Sequence, residues 1–409
     1  MTKTKQRPLK PNERAPILSA QRNLKMARSS QSYVRGSTAK FYEWLDTSVT
    51  GKLPDGPPIW ICGDCHTGNI GPVANAEGQI DIQIRDFDQT IIGNPIHDLI
   101  RLALSLATAA RGSDLPGVTT AKMVEQLIEG YELEFSDERE QMRPEERPAC
   151  VQVVMKQALT NSWKHLAEDT IDDIRPVIPL GKRFWPISLT ESKAITALFK
   201  DGEASRLATI LRSRADDASV SVLDAAYWVK GCSSLGNLRY AVLLDIDKEV
   251  SKGKNLCLMD IKEAINAIAP RAAGIRMPRE NGERVLEGAR NLSPHLGERM
   301  QASRLLERSV FIRELLPQDL KLEINQLKWQ EAMKAAKYLA SVVGKAHARQ
   351  MDASTRSAWH KELQRNRSKK IEAPSWLWNS VVELVAIHEG SYLNHCRTYA
   401  MQLGMATTT

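Results

Sequence analysis

The chain has 409 residues, 42% of them hydrophobic and 26% charged, with a formal net charge of +7. At roughly 150 residues per domain that length accommodates two sizeable lobes, and the composition excludes a collagenous, fibrous or wholly disordered chain. Eight Lys or Arg and one Glu fall in the first 28 residues, so the N-terminal arm supplies the whole positive excess; an arm of this kind reads as solvated chain, and no zinc-finger, RNP or basic-zipper pattern argues for nucleic acid.

The first thirty residues also lack the apolar core of a signal peptide, which argues for a cytoplasmic protein. Residues 16–47 read as helical with a break near Ser29 and Ser30. "GKLPDGPP" ends that segment and launches a short apolar strand, Ile59 to Cys62. In "GQIDIQIRDFD" Ile80, Ile82 and Ile84 alternate on one strand face, and the strand delivers Asp86 and Asp88 at its end. Helical spacing resumes through Leu99, Leu102, Ala103 and Leu106, with Asp98 placed as an N-terminal cap. Asp98 and Arg101 lie within the longest apolar stretch, "IIGNPIHDLIRLALSLATAA", and disqualify it as a membrane span.

Two or three amphipathic helices are expected over residues 121–170, and one or two more in "LTESKAITALFKDGEASRLATILRSR". From Val222 the pattern changes. "LDAAYWVKGCSSLGNLRYAVLLDI" reads as strand, glycine-bounded loop and strand, and "NLCLMDIKEA" as a third strand ending at Lys262, together a small antiparallel sheet. A helix in "NGERVLEGARNL", a strand in "RSVFIRELL", and long helices at about 326–351, 354–367 and 374–403 complete the chain.

One short stretch admits competing chemistries. "ICGDCHTGNI" spells Cys62-x-x-Cys65-His66, a c-type haem attachment pattern, and also Gly63-Asp64-x-His66-x-x-Asn69. Haem attachment is an extracytoplasmic process for small helical chains, zinc lacks a second Cys or His pair at a compensating spacing, and the six scattered cysteines suit reduced thiols. Phosphoryl transfer asks for carboxylate and amide oxygens on magnesium, a carboxylate near the acceptor hydroxyl and a cation on the phosphates. Asp64, Asn69 and Asp86 are spaced for the oxygens. Gly231-x-x-x-x-Gly236 is not a Walker A loop, because Asn237 and Leu238 stand where Lys and Ser or Thr are required.

"GDCHTGN" followed by "IRDFDQTIIGNPIHDLI" resembles the "HGDLHPGN" and "IDF…GDP…DLA" signature of aminoglycoside phosphotransferase and choline kinase relatives. Asp86-Phe87 falls on the metal-binding Asp-Phe, Gly93-Asn94-Pro95 on Gly-Asp-Pro, and Asp98-Leu99 on Asp-Leu. The glycine loop and lysine follow the catalytic loop here, whereas they precede it in an ordinary kinase. That order, with "KMARSSQSYVRG", resembles a bacterial family, domain of unknown function 2252, over about residues 22–351. The sequence departs from that family's motifs at residues 30–33, Cys65, Arg85 and Cys232, and keeps Asp64, His66, Asn69, Asp86, Asp88 and Lys262.

The resemblance implies an α+β, two-lobed, protein kinase-like fold in circularly permuted order, with a small antiparallel sheet lobe and a mainly helical lobe. Its expected divisions are a basic tail (1–20), a catalytic-loop and helical lobe (21–215), a nucleotide-binding sheet lobe (216–320) and completing helices (321–405). ATP and Mg2+ are the expected cofactors. Asp64 is the expected catalytic base with His66 bracing its loop, and Asn69, Asp86 and Asp88 are the metal ligands. Gly231, Ser233, Ser234, Gly236 and Lys262 would meet the phosphates. Glu287, preferred to Glu283, would pair with Lys262. Glu314 and Leu316 in "FIRELLPQD" would lie at the adenine hinge, Asp98 would back the catalytic loop, and Arg35 would contact substrate or phosphate. The acceptor, a small molecule or a protein, is open, as are AMP transfer and a catalytically silent nucleotide-binding module.

Overall fold

Helices form where the N-terminal pattern calls for them, in three pieces: α1 (Pro11–Ala27), α2 (Ser30–Gly36) and α3 (Thr38–Ser48). Ser29 makes the first break, because it is extended and its side chain accepts the Ser32 amide, satisfying a donor that a helix start leaves open. The computed structural model describes residues 8–48, 53–113, 115–136, 146–161, 177–200, 202–211, 213–232, 235–247, 256–320, 322, 328–365 and 373–399.

Four short strands follow: β1 (Ile59–Ile61), β2 (Ile70–Ala74), β3 (Ile80–Ile84) and β4 (Ile91–Gly93). They pair antiparallel as β1 with β4 and β2 with β3. The α4 helix (Ile96–Gly112) starts two residues before Asp98, so Asp98 stands in the first turn and is not the cap. Its carboxylate is turned instead onto the loop after β1, as described below. Where two or three helices were expected over 121–170, α5 (Gly117–Glu132) and α6 (Ala149–Thr160) form, and residues 137–145 and 162–176 lie outside the described residues.

The second half carries β5 (Phe184–Trp185), α7 (Leu189–Lys200), α8 (Glu203–Thr209), β6 (Val220–Trp228), β7 (Arg239–Ile246), β8 (Leu256–Glu263), α9 (Asn281–Leu292), α10 (Pro294–Gly297), β9 (Met300–Leu305) and β10 (Arg308–Glu314). The sheet is antiparallel throughout in the order β5-β6-β7-β8-β10-β9. It is wider than the sequence pattern implied. The β9 edge strand, MQASRL, was not legible because its outward positions carry Gln, Ser and Arg, and β5 is too short to show any period.

Both sheet faces are covered. One packs Tyr240, Val242, Leu244, Cys257, Met259 and Ile261 against Leu18 of α1 and Ile195 and Phe199 of α7. The other packs Ala226, Trp228, Ala241, Leu243 and Leu258 with Ile178, Phe184 and Leu315. A separate core holds α4, α5, α11 (Trp329–Ala348), α12 (Ala353–Gln364) and α13 (Ser375–Tyr399). The α9 helix feeds that core through Val285, Leu286, Ala289 and Leu292, so it ties the sheet to the helical body.

Two contacts lock the helical body. At Gly130 a β-carbon would overlap the Lys337 carbonyl oxygen, so α5 and α11 cross at backbone contact. Just past α11, Gln350 closes both its amide groups on Trp60: its Oε1 accepts the Trp60 amide at 2.9 Å and its Nε2 donates to the Trp60 carbonyl at 3.0 Å. The end of a late helix thus abuts the first strand. Among the described residues no helix is long and apolar enough to cross a membrane.

Candidate functional site

The loop leaving β1 is held from beneath by α4. The Cys62 and Gly63 amides donate to the two Asp98 oxygens at 2.7 and 2.9 Å, and Tyr42 donates its hydroxyl to the Gly63 carbonyl at 2.6 Å. Gly63 has φ +73°, and a side chain there would overlap the Gln89 carbonyl, so only glycine makes this turn. Asp98 is wholly buried and is itself steadied by His347, whose Nε2 lies 3.2 Å from Oδ2 and whose Nδ1 lies 2.8 Å from the Tyr131 hydroxyl. This chain of polar groups runs through the core from α4 to α11 and α5.

On that support sits Asp64. Arg101, one turn along α4 from Asp98, donates Nε to Asp64 Oδ1 at 2.9 Å and Nη2 to the Val34 carbonyl. The Asn69 amide nitrogen donates to the Asp64 carbonyl at 3.0 Å, which leaves the amide oxygen as the atom able to ligate. His66 accepts the Gly68 amide on Nδ1 at 3.1 Å, so the proton of the neutral ring sits on Nε2. Burial lowers His66 to about 4, with Asp64 opposing and Arg35 and Arg101 adding to the depression, and the ring is neutral at pH 7. His66 therefore braces the loop. Arg35 lies against the same loop, because a β-carbon on Gly68 would come within 2.7 Å of its guanidinium.

The turn after β3 supplies the second half. Lys262 reaches from β8 to place Nζ 3.4 Å from Asp86 Oδ1 and in close contact with Asp88 Oδ2, joining residues 176 apart in sequence. The lysine side chain is 4% exposed, Asp88 19% and Asp86 42%, so water reaches the acids, Asp86 above all, while the lysine is enclosed. Burial alone would raise Asp86, but Lys262, Arg313 and Arg239 hold it well below the usual carboxylate range. Asp88 is shifted the other way by its burial and by the charge of Asp86, against the pull of Lys262. Asp88 Oδ1 is buried with no hydrogen-bond partner among the described residues.

Arginines frame this turn. Arg284 of α9 donates to the Asp88 carbonyl at 3.0 Å, the Ile265 carbonyl at 2.7 Å and the Thr90 carbonyl, which fixes the backbone on which both acids stand. Beside Lys262 on the sheet, Arg239 and Phe311 are its register partners on β7 and β10. Two residues before it, the buried Asp260 takes Arg239 bidentate at 2.8 and 2.5 Å, and Arg313 at 3.3 Å. Such forked pairs are the strong form of the interaction.

The remaining expected residues divide. Glu287 is not brought to Lys262: it pairs with Arg290 at 2.8 Å on the outer side of α9, Glu283 is exposed, and the face of α9 toward the site presents Arg284. Glu314 is buried and chelated by Arg214 at 2.9 and 2.7 Å, so its carboxylate is engaged in holding β10. The Leu316 amide donates to Asp319 Oδ2 at 3.3 Å. Gly231 and Gly236 have φ of +99° and +111°, and the Gly231 carbonyl accepts Lys25 Nζ at 3.0 Å. Ser233 and Ser234 lie outside the described residues.

Sequence reasoning did not find Arg101, His347, Arg284 or the Arg239–Asp260–Arg313 group. Two of these left a trace: a charge inside the apolar α4 stretch, and Asp260 inside the apolar "NLCLMDIKEA". Among the described residues no three His, Cys, Asp or Glu side chains are grouped to hold a metal, and Cys62 and Cys65 are buried free thiols. The sequence profile of a family of uncharacterised proteins conserved in bacteria, DUF2252, matches residues 14–398, and the chain belongs to that family. No curated protein and no solved structure matches the chain.

Proposed function

We propose that the protein is an ATP- and magnesium-dependent phosphotransferase of kinase-like, circularly permuted fold, acting on a hydroxyl of its acceptor. The observation that carries this reading is the convergence of Lys262 on Asp86 and Asp88, at 3.4 Å from the first and in contact with the second. Two features of the fold support the permuted order. Strands β6 and β7 flank the Gly231–Gly236 loop, β8 carries the lysine, and α9 crosses before β9 and β10. The Gln350–Trp60 junction brings the end of α11 to the strand that leads into the Asp64 loop, so the late helix and the early loop are neighbours in space.

Arg101 occupies Asp64 Oδ1, leaving Oδ2 for an acceptor hydroxyl. As the acceptor oxygen bonds to the γ-phosphorus and the bond to the bridging oxygen breaks, the hydroxyl proton passes to Asp64 and ADP leaves. Magnesium takes one or two carboxylates together with phosphate and water oxygens. The unpartnered Asp88 Oδ1, the half-exposed Asp86 carboxylate and the Asn69 amide oxygen fit that donor set. The ion would neutralise phosphate charge, and Lys262 would exchange its carboxylate contacts for phosphate oxygens.

The test is transfer of label from ATP to a metabolite extract, with Asp64→Ala and Lys262→Met as controls. Label from the γ position, lost in both variants, is the expected result. Label only from the α position means AMP transfer. A catalytically silent nucleotide-binding module is the second reading, favoured by Glu287 standing away from Lys262; it predicts stabilisation by ATP with no transfer. A melting temperature indifferent to ATP plus magnesium refutes both.

A further inference from the structure

The arginines most withdrawn from water among the described residues are all engaged, most of them by acids and Arg284 by three backbone carbonyls. Arg14 pairs with Glu191, Arg101 with Asp64, Arg239 with Asp260, Arg214 with Glu314 and Arg299 with Asp319. The N-terminal helices break the pattern at one place. Arg35 of α2 is half-buried against Gly68, where a β-carbon would lie 2.7 Å from Cζ and Nη2, yet among the described residues it has no hydrogen bond and no ion pair. Arg22 of α1 is also half-buried and likewise unpaired among the described residues, with its Nε shut away from water without a partner. Lys25, one turn further along α1, donates to the Gly231 carbonyl at 3.0 Å, a neutral acceptor that leaves its charge uncompensated.

Cys232 lies beside this group: Lys25 donates to the carbonyl of the residue before it, Arg22 stands one turn earlier on α1, and Arg35 adjoins Gly36 on α2. The Cys232 Sγ lies 3.2 Å from where a β-carbon on Gly36 would stand, so α2 and the glycine loop are in contact there. Burial raises the Cys232 thiol, and Lys25, Arg35 and Arg22 each pull it down; no carboxylate is among the charges acting on it. A guanidinium carries five donors in a fixed fork. Two such forks and an ammonium, partly removed from water and without an ion pair among the described residues, make a site for an oxyanion with several acceptor oxygens.

The place of this site gives it a role. Arg35 rests on the loop that carries Asp64 and His66, and Val34, its neighbour in α2, accepts from the arginine that holds Asp64. The Lys262, Asp86 and Asp88 group is reached separately, from β8 and the turn after β3. We infer that Arg22, Lys25 and Arg35 bind a phosphoryl group on the acceptor, so that the substrate is a phosphorylated small molecule whose free hydroxyl is presented to Asp64. The assignment of this group to an acceptor rests on the phosphotransferase reading; the existence of the anion site does not.

Inorganic phosphate is the probe. The full chain is titrated with it by calorimetry at constant ionic strength, with and without saturating ATP plus magnesium, alongside Arg22→Gln, Arg35→Gln, Arg35→Lys and Lys262→Met. Phosphate is expected to bind the unaltered protein with or without nucleotide. Each glutamine variant should weaken it by about tenfold, as loss of a charge-assisted pair does, the lysine variant by less, and Lys262→Met not at all. Phosphate binding that is absent, or equal in the unaltered protein and both glutamine variants, overturns the site. Phosphate that is displaced by ATP, or lost in Lys262→Met, places the cations at the nucleotide and overturns the acceptor assignment. Arginine-dependent phosphate binding in a protein that ignores ATP keeps the anion site while the phosphotransferase reading fails. Should Arg35→Gln not fold, Arg22→Gln and Arg35→Lys carry the same comparison.

Discussion

Replacing Asp98 by alanine removes the acceptor of two buried amides, those of Cys62 and Gly63, and the partner of His347. A buried donor left without its bond costs about 1–3 kcal/mol, so the two amides together should cost roughly 2–6 kcal/mol. Set against a total stability of about 5–15 kcal/mol for a folded domain, this is a major loss. Asp98→Asn keeps one acceptor oxygen and turns an NH2 toward a group that itself donates. It should cost about half as much as alanine, roughly 1–3 kcal/mol. Urea unfolding at pH 7 reads both, as a lowered midpoint with an unchanged slope. Hydrogen exchange at Gly63 should accelerate in both variants, since its amide is held at 2.9 Å by this carboxylate alone. A midpoint for Asp98→Ala within error of the unaltered protein, or undiminished protection at Gly63, would refute the argument that this side chain carries the loop.

Gly130→Ala should destabilise by about 1–3 kcal/mol through overpacking, because its β-carbon overlaps the Lys337 backbone; Gly390→Ala, where nothing lies within 4 Å on the exposed side of α13, should stabilise by about 0.5–1 kcal/mol. Thermal unfolding of the two variants separates crossing-point sterics from helix propensity, and equal shifts of the same sign would count against the close crossing. Acid should weaken the fold in a defined window. His66, His97 and His388 are lowered by burial from 6.5 to about 4, so between about pH 6.5 and 4 the unfolded chain takes up protons that the folded one refuses. Stability should therefore fall as pH drops through that window and owe nothing to these groups above it. Urea midpoints between pH 7.5 and 4 check this, with His388→Leu expected to flatten the slope; a midpoint rising on acidification contradicts it.

Several elements were legible because their signals are local. The alternation of Ile80, Ile82 and Ile84 yields β3, the spacing in "NGERVLEGARNL" yields α9, and the apolar run before Lys262 yields β8. Asp64, Asn69, Asp86 and Lys262 stood out as candidates by their places at strand ends or in a glycine-bounded loop and by their resemblance to phosphotransferase motifs, and the structure brings Lys262 to Asp86. The β9 strand was hidden, since an edge strand with polar outward positions has little hydrophobic period.

Partnership is where sequence falls silent. By itself the chain determined which segments bend into strands and helices and which residue types stand at their ends, because backbone sterics and hydrophobic period act over a few neighbours. Only the tertiary structure decided that Lys262 meets Asp86 and Asp88 while Glu287 turns to Arg290, that Asp98 serves two amides of a distant loop, and that Arg101 takes Asp64. The physical reason is that an ion pair or a buried hydrogen bond is set by which groups are withdrawn from water into the same small volume. For residues 176 apart that is settled by how sheet and helices pack, and by nothing in either segment alone.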